Sequence, residues 1–124
     1  MQTCAWLSYQ FEILSQDATW NDVGGIYIFS YGNFGGLWNA VYIGQTSSFM
    51  ARIPSHERWE EARQRGATHV HALVVPDQAM RDKIEQALIA AFHPHLNSQF
   101  NLDIFGLLGS VYASQNKSQS SGLY

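Results

Sequence analysis

GIYIFSYGNFGGLWNAVYIG, residues 25–44, spells a β-hairpin. Ile26-Tyr27-Ile28-Phe29-Ser30-Tyr31 is β-branched and aromatic, as a strand requires. Gly32-Asn33-Phe34-Gly35-Gly36 is a glycine-rich turn, and Trp38 to Ile43 reads as the returning strand. Each strand also sets a tyrosine two positions from a glycine: Gly25-Ile26-Tyr27 in one, Tyr42-Ile43-Gly44 in the other. Tyrosine brings a rigid ring and a phenol that donates or accepts a hydrogen bond. Glycine removes the side chain that would keep a large group off the backbone.

Thr46-Ser47-Ser48 offers helix caps ahead of Phe49-Met50-Ala51-Arg52-Ile53. Pro54 stops that helix, and a second is expected from about Ser55 to Gln64, with Gly66 as its C-terminal glycine. Thr68 to Val75 reads as a third strand. Met80, Ile84, Ala87, Leu88, Ala91 and Phe92 recur at helical spacing, giving an amphipathic helix over 77–92 that ends at His93-Pro94-His95. In residues 1–23 the large apolar side chains are scattered, and periodicity does not choose between strand and helix. The expected fold is α+β: a small three-stranded antiparallel sheet flanked by helices. Residues 1–23 are expected to pack on the domain of residues 24–97. Residues 98–124 are expected to form an extension, with Phe105 to Tyr112 apolar enough to dock and the Ser/Gln-rich end partly loose.

At 124 residues the chain suits one domain, and 46% hydrophobic content excludes a disordered segment. Its apolar runs are too short to span a bilayer, and the start lacks the features of a signal peptide. Cys4 is the single cysteine, so no internal disulfide framework forms and an intracellular, cytoplasmic setting is expected. Net charge is −3, which gives no overall field favouring nucleic acid. Arg52, Arg58, Arg63, Arg65, Arg81 and Lys83 lie together, but Glu57, Glu60, Glu61, Asp77, Asp82 and Glu85 share their stretch. Strong non-specific affinity for a polyanion is therefore not expected.

Taken in order, Gly25-Ile26-Tyr27, Tyr42-Ile43-Gly44-Gln45-Thr46, Arg52, His56, Glu85 and Asn97 resemble the GIY-YIG nuclease family, over roughly residues 24–97. The resemblance implies metal-dependent hydrolysis of nucleic-acid phosphodiesters, with DNA the expected substrate and 5′-phosphate and 3′-hydroxyl products. It implies that Glu85 binds one divalent ion, Mg²⁺ with Mn²⁺ as a substitute, whose preference is for carboxylate and retained water. Arg52 would contact non-bridging oxygens with its planar, permanently charged fork. Tyr27 would serve as general base or orient the attacking water, and Tyr42 would contact the phosphate. His56 would hydrogen-bond the tyrosine or shuttle its proton. Gly25, Gly44 and Asn97 would be structural, and Gln45, Thr46, Arg58 and Arg63 weaker candidates for substrate contact.

Singly, these residues have plainer readings. Tyr27 and Tyr42 read as cross-strand aromatics, and Glu85, four residues after Arg81, as half of a surface ion pair. His69 with His71, and His93 with His95, offer a zinc alternative. Two departures from the family pattern stand out: a lengthened hairpin tip, Gly32 to Leu37, and no specificity module after residue 97. Recognition would then come from the domain itself, a homodimer or a specificity partner. A catalytically silent nucleic-acid or protein binding module of the same fold is the alternative function.

Overall fold

The hairpin of residues 25–44 forms at one edge of a sheet larger than the sequence suggests. The computed structural model describes residues 2–33 and 35–97. Their order is β1 (Thr3–Trp6), β2 (Tyr9–Leu14), β3 (Gly25–Gly32), β4 (Trp38–Thr46), α1 (Phe49–Arg52), α2 (Trp59–Gln64), β5 (His69–Val74) and α3 (Gln78–Phe92). The strands form one antiparallel sheet in the order β1-β2-β5-β3-β4. The α+β class stands, but the sheet has five strands and not three. The extra pair is the amino-terminal segment, whose β2 joins the free edge of β5 in the register Glu12↔Ala72, Ile13↔His71 and Leu14↔Val70. Trp6 and Phe11 decide the matter by burial, since both are enclosed while their neighbours stay partly wet.

Strand alternation gives the sheet two apolar faces. Tyr27, Phe29 and Tyr42 turn to one, against Phe49 and Ile53 around α1, Ala62 of α2 and Leu96. Ile26, Ile28 and Ile43 turn to the other, against Ile84 and Leu88 of α3 and against Trp6 and Phe11. Gly25 is required where β3 passes β5, because a Cβ there would collide with the Leu73 carbonyl and the Phe49 ring.

The helix ends follow local hydrogen bonding. The Ser48 side chain accepts from Ala51 N–H and caps α1, and that of Asp77 accepts from Met80 N–H and caps α3. Gly66, at φ 104°, follows α2 as the left-handed residue a helix end favours. The second helix begins at Trp59 rather than near Ser55. The preceding residues spend their bonds on turns: His56 N–H donates to Ile53 O, and Arg58 N–H to the His56 ring. No helix among the described residues is long and apolar enough to cross a membrane. Phe34 at the hairpin tip and the extension over 98–124 lie outside the described residues.

Candidate active site

Tyr27 is fully buried at the middle of the sheet, and its ring lies over Gly44 of the neighbouring strand. A Cβ at Gly44 would sit 2.5 Å from Tyr27 Oη and 2.6 Å from Cζ, so the glycine makes room for the phenol. Tyr27 Oη lies 2.7 Å from His56 Nε2. The turn ahead of α2 fixes which way that bond runs. Arg58 N–H donates to His56 Nδ1 at 3.0 Å, so Nδ1 is the acceptor and, in the neutral ring, Nε2 carries the hydrogen. His56 therefore donates to the Tyr27 oxygen. Burial, with the Arg52 charge adding, holds His56 down at about 4 and keeps the ring neutral at ordinary pH.

Arg52, at the end of α1, interacts electrostatically with Tyr27. The His56 donor and the Arg52 charge both favour negative charge on the phenol oxygen. The Arg52 fork is held by Glu57, through Nη1 at 2.6 Å and Nη2 at 2.7 Å. That pairing keeps the Glu57 carboxyl well below the usual carboxylate range. Tyr42 completes the group, 6.4 Å from the Tyr27 ring and 5.5 Å edge-on from His56. Tyr27, Tyr42, Arg52 and His56 are brought together on the helix α1–α2 face.

Glu85 is not on that face. It sits in α3, and its Oε1 accepts from Gln45 Nε2 at 3.0 Å. Gln45 follows Ile43 by two along β4, so it shares the α3 face, opposite Tyr27. The two groups meet along β4: Gly44 lies under Tyr27, and the next residue holds Glu85. Burial pushes the Glu85 carboxyl up to about 7, with the Asp82 charge adding and the Gln45 bond opposing. Its Oε2 is buried with no hydrogen-bond partner among the described residues. An orphaned carboxylate oxygen suits a hard divalent cation that retains most of its waters. No group of three or more His, Cys, Asp or Glu side chains that could hold a metal occurs among the described residues.

The remaining candidates have local duties. Asn97 brackets Ile43, accepting from its N–H at 2.9 Å and donating to its carbonyl at 3.0 Å on the open side of β4. Thr46 forms a small turn with Ser48. Arg58 pairs with Glu61, and Arg63 with Glu60. The ion pair read from Arg81 and Glu85 does not form. Arg81 is buried and donates to Gln45 Oε1 and to the carbonyls of Val75 and Pro76. The paired histidines do not assemble a zinc site either. His71 is enclosed, with Trp6 Nε1 on its Nδ1 at 2.9 Å and Ser30 Oγ beside Nε2 at 3.1 Å.

The sequence reading passed over Glu57 and Asp82. Glu57 lies five residues from Arg52, off helical spacing, and only the turn between α1 and α2 brings it back. For Asp82 a signal existed: Gln45 is a polar residue at a core-facing strand position after Ile43, and a buried amide needs partners.

No family model and no curated protein matches this sequence. Among solved structures the chain is similar to the GIY-YIG N-terminal endonuclease domain of UvrC from Thermotoga maritima bound to its catalytic divalent cation, magnesium. The identity is 22% and the TM-score 0.49, over 60% of this chain and 83% of that one. A tyrosine-to-phenylalanine mutant of that domain gives 24% and 0.48, over 60% and 82%. An asparagine-to-alanine mutant gives 21% and 0.48, over the same shares.

Proposed function

We propose that this chain is a metal-dependent endonuclease that hydrolyses phosphodiester bonds of DNA, leaving 5′-phosphate and 3′-hydroxyl ends. The observation that carries the reading is the Tyr27 phenol, buried over Gly44 with His56 donating to its oxygen and the Arg52 charge beside it. An ordinary packing tyrosine needs neither a neutral, oriented histidine nor a cation. A donor to the phenol oxygen favours the phenolate, the form that can take the proton of an attacking water. Arg52 then exchanges Glu57 for a phosphate oxygen, which suits the same bidentate geometry. Tyr42, beside them, contacts the phosphate.

Glu85 would hold the single divalent ion, Mg²⁺ or Mn²⁺, through its orphaned oxygen. When bound, such an ion supplies Lewis-acid neutralisation of charge on the phosphoryl and leaving oxygens. Target choice would come from a second copy of the chain or a specificity partner.

The binding-module alternative is favoured by one observation, the Arg52 fork already closed by Glu57. One assay separates the two. Supercoiled plasmid, linear duplex and single-stranded DNA are incubated with Mg²⁺ or Mn²⁺ and the wild type, Tyr27→Phe or Glu85→Ala. Cleavage by the wild type and a fall of about 10²-fold or more in each variant are expected. Cleavage undiminished in Glu85→Ala defeats the metal role, and no cleavage of any substrate favours the binding module.

A further inference from the structure

We propose that Gln45 is a positioning residue whose amide fixes the Glu85 carboxylate and sets Asp82 beside it, making the pair the anionic wall of a divalent-cation site. The inference rests on the reading of Glu85 as the metal-holding residue.

Gln45 is 5% exposed, and its amide is spoken for on both sides. Nε2 donates to Asp82 Oδ1 at 2.6 Å and to Glu85 Oε1 at 3.0 Å. Oε1 accepts from Arg81 Nε at 3.2 Å. Arg81 is itself anchored, with Nη1 donating to the carbonyls of Val75 at 3.0 Å and Pro76 at 2.7 Å. The amide therefore has one workable orientation. Flipped, it would turn its carbonyl onto two carboxylates and its NH₂ group onto a guanidinium. An amide held in this way has no donor left for substrate, so the role expected of Gln45 from the sequence gives way to a different one.

Asp82 and Glu85 stand three residues apart on α3, so they share a side of the helix. Among the described residues neither carboxylate takes part in a salt bridge. Two acids drawn to one neutral NH₂ group repel each other, and one keeps a buried oxygen bare. A divalent cation relieves both conditions. Half-buried Asp82 lies on the solvent side of the pair and so becomes a second anionic group, not merely a neighbour. Residues that orient a metal ligand change metal affinity by about 10–100-fold when lost.

The test measures Mn²⁺ binding directly, from the free-ion electron paramagnetic resonance signal, and from the rise in thermal midpoint that Mn²⁺ produces. The proteins are wild type, Gln45→Met, Asp82→Asn and Glu85→Gln, each first melted in EDTA to establish that it folds. Wild type is expected to bind one Mn²⁺, Glu85→Gln to lose it, and Gln45→Met and Asp82→Asn to bind about 10-fold or more weakly. Cleavage by these last two should recover at high Mn²⁺. A purely structural role for Gln45 would lower the EDTA midpoint and leave the affinity of the folded protein unchanged. Wild-type affinity in folded Gln45→Met overturns the inference while the nuclease reading stands. If Gln45→Met does not fold, wild-type affinity in Asp82→Asn overturns it. Failure of wild type to bind Mn²⁺, or full binding by Glu85→Gln, removes the metal assignment and this inference with it.

Discussion

The two faces of the sheet surround their buried ionisable groups differently. On the α1–α2 face, Tyr27 meets His56 and Arg52, and the His56 ring has a partner at each nitrogen. On the α3 face, His71 is equally well served by Trp6 and Ser30, yet Glu85 nearby keeps one oxygen bare and its carboxyl poised near neutrality. The α3 face can thus satisfy a buried polar side chain, and at Glu85 it does not. A buried carboxylate oxygen left bare marks a place for a ligand. The tyrosine face is prearranged around the Tyr27 oxygen, whereas the carboxylate face is incomplete at Glu85 Oε2.

The sharpest way to break the prearranged face is Gly44→Ala. The new Cβ collides with a ring that has no free space, so about 3 kcal/mol should be lost, read as a lower urea midpoint. Gly32→Ala is the control: its Cβ would meet Trp38 at ordinary contact distance, 3.6 Å and beyond, and should cost far less. Equal losses in both would show that the packing over Gly44 is not special.

The incomplete face predicts a mutation that stabilises. Glu85 has a folded pKa of about 7, raised above the ordinary value of 4.5. The folded state therefore holds its proton more tightly, and this contribution is complete below pH 4.5 and lost as pH rises to 7. Glu85→Gln, measured in EDTA, should match wild type near pH 4 and exceed it by about 3 kcal/mol at pH 8. The histidines run the other way. His56 and His71 are held down to about 4 from 6.5, so their contribution is present above pH 6.5 and lost as pH falls to 4. The windows overlap from pH 4.5 to 6.5, where two histidines outweigh one carboxylate, so wild-type stability should peak near pH 6.5 and Glu85→Gln should remove the fall above it.

At the strand the two faces share, Asn97→Ala strips both partners from the Ile43 peptide groups and should cost about 1–2 kcal/mol by denaturation. The smallest effect is expected at Glu57→Gln. Its carboxyl is well exposed, so stability should change by less than about 1 kcal/mol. Removing the competing anion should nevertheless tighten DNA binding, seen as a lower half-saturating concentration that rises with salt. Unchanged binding would mean that the Arg52 fork does not meet the phosphate.

Much of the fold was legible because it depends on local chemistry. The β-branched and aromatic run at 26–31, the glycine turn after it, and the helical recurrence from Met80 to Phe92 each specify an element whatever surrounds them. The caps at Ser48 and Asp77 follow from hydroxyl and carboxylate side chains preceding apolar stretches. The amino-terminal strands were not legible, because Trp6 and Phe11 gain their burial only once the β5 edge and α3 exist to cover them. The start of α2 was misplaced for a related reason, since the His56 turn is fixed by a ring that points inward to Tyr27.

For the candidate site, the sequence alone named the candidate side chains: the two tyrosines with their glycines, Arg52, His56, Glu85 and Asn97, by type and order. The tertiary structure decided how they are divided and partnered. It put His56 on the Tyr27 oxygen, Glu57 on Arg52, and Gln45 between Arg81 and two acids, with Glu85 across the sheet from Tyr27. The physical reason is distance along the chain. Propensity and periodicity act over a few residues, whereas each of these groupings except Arg52 with Glu57 joins residues nearly thirty or more apart. Their hydrogen bonds form only after the sheet and helices have closed and water has been excluded.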